Sequence, residues 1–476
     1  MINIAELTLA EAGAAFRRGQ FSPLQLTEAY LQRIEQIDPQ LNSFITITAE
    51  AALAAAHQAT DDLTSGRDRG ALHGIPLAYK DLIATAGVRT TSASRIHARR
   101  VPDTDATVVQ ALTAAGAVSL GKLNMLECAY GVVHPDFGPA LNPWSVAHSS
   151  GGSSSGSAVA VAAGLCLGTL GTDTGGSIRN PAAWCGIVGH KPTYGLVSRH
   201  GVDALSWSLD HVGPMTRTAQ DAALLLEGLA GFDPLDPGSA PAAQFRATDL
   251  DSVDLSRLRV GVPRELLDSG TDAEVRGIVN RAIEQLGACV GSIDAAELPS
   301  SEDLLATEFV ILFAEAAAIH QPWLRTRAPD YAPLTRDRLE AGSAIPAIHY
   351  IDAQRRRRVL IEQFAQLHKR FDVLALPAVP VPAMRLAETS LTINGELTDV
   401  FHGLIRVTGP FNVTGAPAVS VPCGWTSGGL PVGLQLTGRH FEDHVVLAAA
   451  RAFEQAHGEP LRLPGLAPSS PAQVGA

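Results

Sequence analysis

The sequence predicts an α/β fold, a single large domain with a central mixed β-sheet covered by helices on both faces. From Leu72 onward, short apolar runs alternate with helical stretches, the pattern of strands wrapped by helices. Strand signals stand on both sides of a mostly helical stretch at about 273–368, so one interrupted sheet accounts for them better than two domains. The composition supplies a sizeable core: 46% of the 476 residues are apolar and 18% charged, and no internal repeat divides them.

Residues 3–60 read as helices. Leu7, Leu9, Ala12, Ala15 and Phe16 recur at helical spacing, and Ser22-Pro23 gives 24–37 an N-cap and an N1 proline. Pro39 ends that stretch, and an Ala-rich helix follows at about 49–63. The short apolar runs are 75–78, 108–115, 117–120, 159–164 and 186–188. A Pro/Asp/Gly loop at 232–250 precedes a strand at 258–262, and strand signals return at 371–376, 418–421 and 434–436. The chain thus divides into an N-terminal helical segment (1–65), a main domain (66–460) and a flexible Pro-, Ser- and Gly-rich tail (461–476). The helical stretch inside the main domain is placed to cover a substrate.

A net charge of −12 argues against a nucleic-acid partner, since phosphate binding is driven by Lys and Arg. The one basic run, Arg355 to Arg358, reads as the solvated face of a helix. No apolar run approaches the roughly 20 residues that span a bilayer, and the start of the chain lacks the basic region of a signal peptide. Cys128, Cys166, Cys185, Cys289 and Cys423 are odd in number, far apart and without a CxxC pair, as fits reduced core thiols of a cytoplasmic protein. His73, His134, His190 and His211 are scattered without metal spacing and read as structural.

The densest polar and glycine-rich segment is 149–179, and three readings of it and of the residues just before it stand open. Gly116 to Lys122 matches the phosphate-loop pattern, but Leu123 stands where a Ser or Thr must reach magnesium. Ser119-x-x-Lys122 resembles the start of a penicillin-binding motif without its Lys-Thr-Gly partner. Gly152-Ser153-Ser154-Ser155-Gly156 is literally a nucleophile elbow with Ser154 at its centre, yet no apolar strand leads into it, and the downstream Asp443-His444 are adjacent and would not form its acid–histidine pair. In the third reading, Ser177 directly follows Gly175-Gly176, and glycines there let successive N–H groups converge on an oxyanion. No histidine is near in sequence. Lys80 follows an apolar run that carries it inward, and a poorly solvated lysine can act as a base near neutral pH. Ser153 would relay the proton between Lys80 and Ser177.

The blocks HGIPLAYKD (73–81), GGSSSGSAVAVAAG (151–164), GTDTGGSIRNPAA (171–183) and GHKPTYG (189–195) resemble, in order and spacing, the amidase signature family. The resemblance runs from about 20 to 455 and includes 412–424 and 429–435. It implies that family's fold and the activity of an amidohydrolase that cleaves carboxamide C–N bonds through a serine acyl-enzyme. Lys80 matches the family's base, Ser177 its nucleophile, and Ser153 the bridging serine that follows a cis peptide bond. The backbone N–H groups of Thr174, Gly175 and Gly176, with that of Ser177, match the oxyanion hole, and Asp173 and Arg179 match supports of that loop. The family needs no cofactor or metal; a small-molecule amide is the partner, and a homodimer is a family expectation. The chain departs from the family pattern at Ser155, where a glycine is usual, at Tyr79 before the lysine, and at His148-Ser149-Ser150.

The substrate is less legible. One subfamily comprises the glutamine-hydrolysing subunits of tRNA-dependent amidotransferases, which place an acidic residue just before the Pro-x-Asn-x-x-Gly block to hold the α-amino group. Here 401–407 carries no Asp or Glu and has Arg406 instead. Met125, Cys128, Tyr130 and some of Phe309, Ile311, Leu312, Phe313 and Trp323 are expected to line an apolar pocket. The reading is therefore an amidase for an apolar aliphatic or aryl amide. The alternatives are the glutamine-hydrolysing subunit of a tRNA-dependent amidotransferase, or an elbow-type esterase using Ser154.

Overall fold

The computed structural model describes residues 2–241, 244–458, 462–466 and 473–474. Within it, eleven strands form one mixed sheet. In chain order they are β1 Phe44–Ile47, β2 Pro76–Lys80, β3 Val118–Leu123, β4 Gly168–Asp173, β5 Val188–Lys191, β6 His211–Thr216, β7 Arg259–Pro263, β8 Ser292–Ala296, β9 Val373–Pro377, β10 Ala418–Trp425 and β11 Pro431–Gly438. Across the sheet the order is β1-β3-β2-β4-β6-β5-β10-β11-β9-β7-β8. β2 runs parallel to both β3 and β4, β7 runs parallel to β8 and β9, and the strands between are antiparallel neighbours. The single sheet expected from strand signals on either side of 273–368 is therefore present.

The helix Pro23–Ile37 begins as its sequence requires. Ser22 Oγ accepts the Gln25 N–H (3.2 Å) and Gln25 Oε1 accepts the Ser22 N–H (2.8 Å), a reciprocal cap with proline behind it. The segment 1–65 is not helical throughout, because β1 joins the sheet edge antiparallel to β3. Two apolar runs read as strand-like are helices. The run at 108–115 lies in Thr107–Ala114, which buries Val108, Val109 and Leu112 on one face. The run at 159–164 lies mostly in Ser155–Ala162, where all eight residues are buried. A helix enclosed on every side has no polar stripe, so its sequence shows no helical period.

In the stretch at 273–368, the helices Ala273–Gly287, Ser301–Arg327, Pro333–Ser343 and Ala347–Leu367 are joined by β8 between the first two. Three of the four arginines in 355–358 are solvated as expected, whereas Arg357 turns inward and donates to the carbonyls of Val413 (2.7 Å) and Ser208 (2.9 Å). A hairpin, Ser390–Ile393 with Glu396–Asp399, leads into the helix Val400–Thr408. Near the C-terminus Gln473–Val474 pair antiparallel with Ile2–Asn3, and most of the expected tail lies outside the described residues. Among the described residues no helix is long and apolar enough to cross a membrane.

Leu436 stands fully buried on β11, paired with Val419 and Ala375 on the flanking strands. Leu436→Ala is expected to destabilise the chain by about 2–5 kcal/mol through lost burial and an unfilled cavity, read as a lowered unfolding midpoint in urea.

Candidate active site

Lys80 is the last residue of β2 and is fully buried. Its Nζ donates to Ser153 Oγ (2.7 Å) and to Thr172 Oγ1 (2.8 Å) on the parallel neighbour β4. The Gly152–Ser153 peptide bond is cis, as the family resemblance implied. The segment is tied to the expected nucleophile through its backbone, since the Ser154 N–H donates to the Ser177 carbonyl (3.1 Å). Ser177, Ser153, Thr174 and Gly175 open together onto a cavity of about 340 Å³. The structure thus gathers Lys80, Ser153 and Ser177, which lie far apart in sequence, at one place.

Burial lowers the Lys80 ammonium to about 7, against the opposing pull of the Asp173 and Asp210 carboxylates. Near neutral pH a large share of Lys80 is therefore the free amine. Asp210 is itself raised to about 6 by burial, and accepts hydrogen bonds from Thr174 Oγ1 (2.6 Å) and from the Leu205 and Ser206 amides. Tyr79 is next to Lys80 on one strand, and successive strand residues face opposite sides; it lies buried on the other face.

The loop after β4 is built around Asp173. Burial pushes its carboxyl up, but Arg179 outweighs burial and holds it below the usual carboxylate range. Arg179 donates to Asp173 from Nε (3.0 Å) and Nη2 (2.8 Å), to Asn412 Oδ1 (2.7 Å), to Gln435 Oε1 (2.7 Å) and to the Thr408 carbonyl (2.8 Å). Asp173 Oδ1 also accepts the Gly176 N–H (2.8 Å), and Oδ2 accepts the Ile178 N–H (3.1 Å). This revises one expectation. The Gly176 amide, held at a φ of 125°, is turned onto Asp173 instead of into the cavity, which leaves Thr174 and Gly175 as the cavity-lining pair before Ser177.

The competing readings fail on geometry. Ser154 is fully buried, with its Oγ donating to the Thr172 carbonyl (3.1 Å) and accepting the Thr172 N–H (3.2 Å), so no elbow presents it. Asp443 is engaged with His190 (3.0 Å) and Thr193. Gly116 to Lys122 is the approach to β3 and the strand itself. Lys122 is buried there against the Ile83 carbonyl and the Thr85 and Thr90 hydroxyls. Among the described residues no group of three His, Cys, Asp or Glu could hold a metal ion.

The cavity walls differ from the expected set. Leu312 lines it, with Leu126, Phe401, Leu404 and Ile405. Met125, Tyr130 and Ile311 are core residues, Phe309 and Phe313 pack against Phe401 from behind, and Cys128 and Trp323 line a different cavity. The mouth is charged: Arg385, Glu388 and Asp399 are exposed there, and Arg338 is half-buried. Arg338 Nη1 donates to the Tyr130 carbonyl (2.6 Å), and its guanidinium stands 4.3 Å from the Phe401 ring centroid. Thr172, Arg338 and Asp399 were not foreseen. Asn394-Gly395, with both residues at positive φ, signals the turn of the hairpin that ends at Asp399 but not its place at the cavity; Asp399 lies two residues before the acid-free stretch 401–407.

Two outcomes follow from this arrangement. Asp173→Asn leaves Arg179 buried without its carboxylate and should destabilise the chain by about 3–5 kcal/mol, measured by chemical denaturation. Activity should rise with pH through about 7 as Lys80 loses its proton. Asp210→Asn, by removing an anion that favours the ammonium, should move that limb to lower pH in a pH–rate profile.

Residues 25–447 match the family model described as Amidase. A glutamyl-tRNA(Gln) amidotransferase subunit of Geobacter metallireducens is 40% identical, over 96% of this chain and 98% of that protein. A solved structure reported for a vestigial protein complex, bearing on the origins of an s-triazine catabolic enzyme, matches at a TM-score of 0.91 and 34% identity, covering 95% and 99% of the two chains. The peptide amidase of Stenotrophomonas maltophilia matches at 0.83 and 31%, covering 97% and 99%. With the family's fold, its blocks in order and nearly its whole length, the chain belongs to the amidase signature family and is an amide-hydrolysing enzyme.

Proposed function

We propose that the chain hydrolyses a small amide that carries a carboxylate, through an acyl-enzyme on Ser177. The observation that carries the substrate class is Arg338. Its guanidinium reaches the same cavity as Ser177, and among the described residues only one protein hydrogen bond, to the Tyr130 carbonyl, occupies it. A planar cation left with open donors in a largely apolar cavity suits a carboxylate.

The amine of Lys80 takes a proton from Ser153, which takes one from Ser177 as Ser177 Oγ attacks the carbonyl carbon. The Thr174 and Gly175 amides, with that of Ser177, hold the oxyanion; losing one such donor lowers the rate by roughly 10²–10³. The proton returns through Ser153 to the departing nitrogen, and water resolves the acyl-enzyme along the same path. A second reading makes glutamine the amide, with ammonia passed to a partner protein, and Asp399 at the cavity mouth favours it. The relatives named as glutamyl-tRNA(Gln) amidotransferase subunits support it as well. Against it, Asp399 already accepts from the His402 N–H (3.0 Å), and the inner wall presents Ile405.

The test is ammonia or amine release by the lone purified chain from glutamine, succinamate, simple aliphatic amides and an anilide, beside Ser177→Ala, Ser154→Ala and Arg338→Met. Ser177→Ala should be inactive and Ser154→Ala active. Arg338→Met should raise KM about 10–100-fold for succinamate, the worth of a charged hydrogen bond, and leave neutral amides unchanged. Equal turnover of neutral amides and succinamate would return the apolar-substrate reading. Hydrolysis of glutamine alone would establish the second.

A further inference from the structure

Glu308 stands on the helix Ser301–Arg327, fully buried, and neither carboxyl oxygen has a hydrogen-bond partner among the described residues. A buried carboxylate without partners is strongly disfavoured, so the group is neutral in this setting. Two glycines make its space. A Cβ on Gly175 would come within 2.8 Å of Glu308 Oε1, and a Cβ on Gly409 would overlap Oε2. Gly175 lines the cavity two residues before Ser177, and its carbonyl accepts from Thr408 Oγ1 (2.6 Å) on the helix just before Gly409. The carboxyl therefore fills the gap between the loop that carries the oxyanion donors and the helix that braces it.

We propose that Glu308 is a positioning residue for amide cleavage: its protonated carboxyl, wedged between Gly175 and Gly409, fixes the oxyanion loop, and its ionisation disables that support. The proposal rests on Ser177 and the adjacent amides acting as described above. The charged groups facing Glu308 are Asp173 at the end of β4, Arg179 on the helix Arg179–Cys185 and Arg357 on Ala347–Leu367. Both cations are already bonded elsewhere, and Asp173 repels a second carboxylate. From Val400–Thr408 the residue flanking the same two glycines is Ile405, which does not titrate. Burial accordingly holds the Glu308 carboxyl well above its ordinary range. Once ionised, it would put a negative charge behind the loop where the oxyanion must form, and like charges oppose each other most strongly out of water.

The experiment is the second-order rate at which a fluorophosphonate reagent labels Ser177 across pH, in the full chain. The Ser177 Oγ–P bond forms, fluoride leaves, and the serine proton passes to Ser153. The wild type should react faster as pH rises through about 7 with Lys80, then more slowly on the alkaline side. Glu308→Gln should keep its rate there. Glu308→Ala and Gly409→Ala should each react about tenfold more slowly, short of the roughly 10²–10³ for losing a donor outright; combined, they should be no slower than either alone. A flat wild-type alkaline limb, the same decline in Glu308→Gln, or additive losses in the double variant would overturn the proposal. Absence of Ser177 labelling in the wild type, or persistent labelling in Ser177→Ala, removes the nucleophile assignment beneath it and is recognised by the labelled site, not by the pH limb.

Discussion

Asp173 and Arg179 are both fully buried, and an ion pair taken out of water is held only where the remaining donors and acceptors are met as well. Here they are met by groups from three separate parts of the chain. Asn412 bonds both members of the pair, Gln435 comes from β11, Thr408 offers its carbonyl, and the Gly176 and Ile178 amides close the near side. The loop that carries Ser177 is therefore wrapped around the carboxylate. The turn of Gly176 onto Asp173 is a consequence: its amide is spent on holding the loop, while Gly175 and Ser177 line the cavity.

Lys80 shows the opposite solution to burying a cation. It has two hydroxyl partners and no carboxylate in contact, so desolvation is left largely uncompensated and the amine form gains. Arg179 is gripped by the Asp173 carboxylate from two nitrogens, whereas Lys80 has only hydroxyl partners. Lys80 ends β2 and Arg179 opens the helix that follows β4, and it is their partners that set the two buried cations apart.

Much of this was legible in the residues. The glycines before Ser177, the apolar run before Lys80 and the serine cluster at 153–155 pointed to residues that the fold does bring to one site, and the capping residues at Ser22-Pro23 named a helix start. What escaped was decided by packing. β4 reads Gly-Thr-Leu-Gly-Thr-Asp, a central strand with one large apolar residue, so it gives no hydrophobic signal. The helix Ser155–Ala162 gives too much, being apolar on every side. Arg338 and Asp399 carry no local pattern that marks a cavity; they meet only because the helix Pro333–Ser343 and the hairpin ending at Asp399 are folded over the same opening. Glycine identity was informative at Gly175 for a second reason, the carboxyl of Glu308 behind it.

The bonds that close around Arg179 join residues 229 to 256 positions apart in the chain. Closing so long a loop is entropically unfavourable before any contact rewards it. The shape of the loop after β4 is therefore tied to the far end of the sequence, through Thr408, Asn412 and, on β11, Gln435. A chain cut before β11 would keep Lys80, Ser153 and Ser177 but lose Gln435, one of the groups that holds Arg179 beside them.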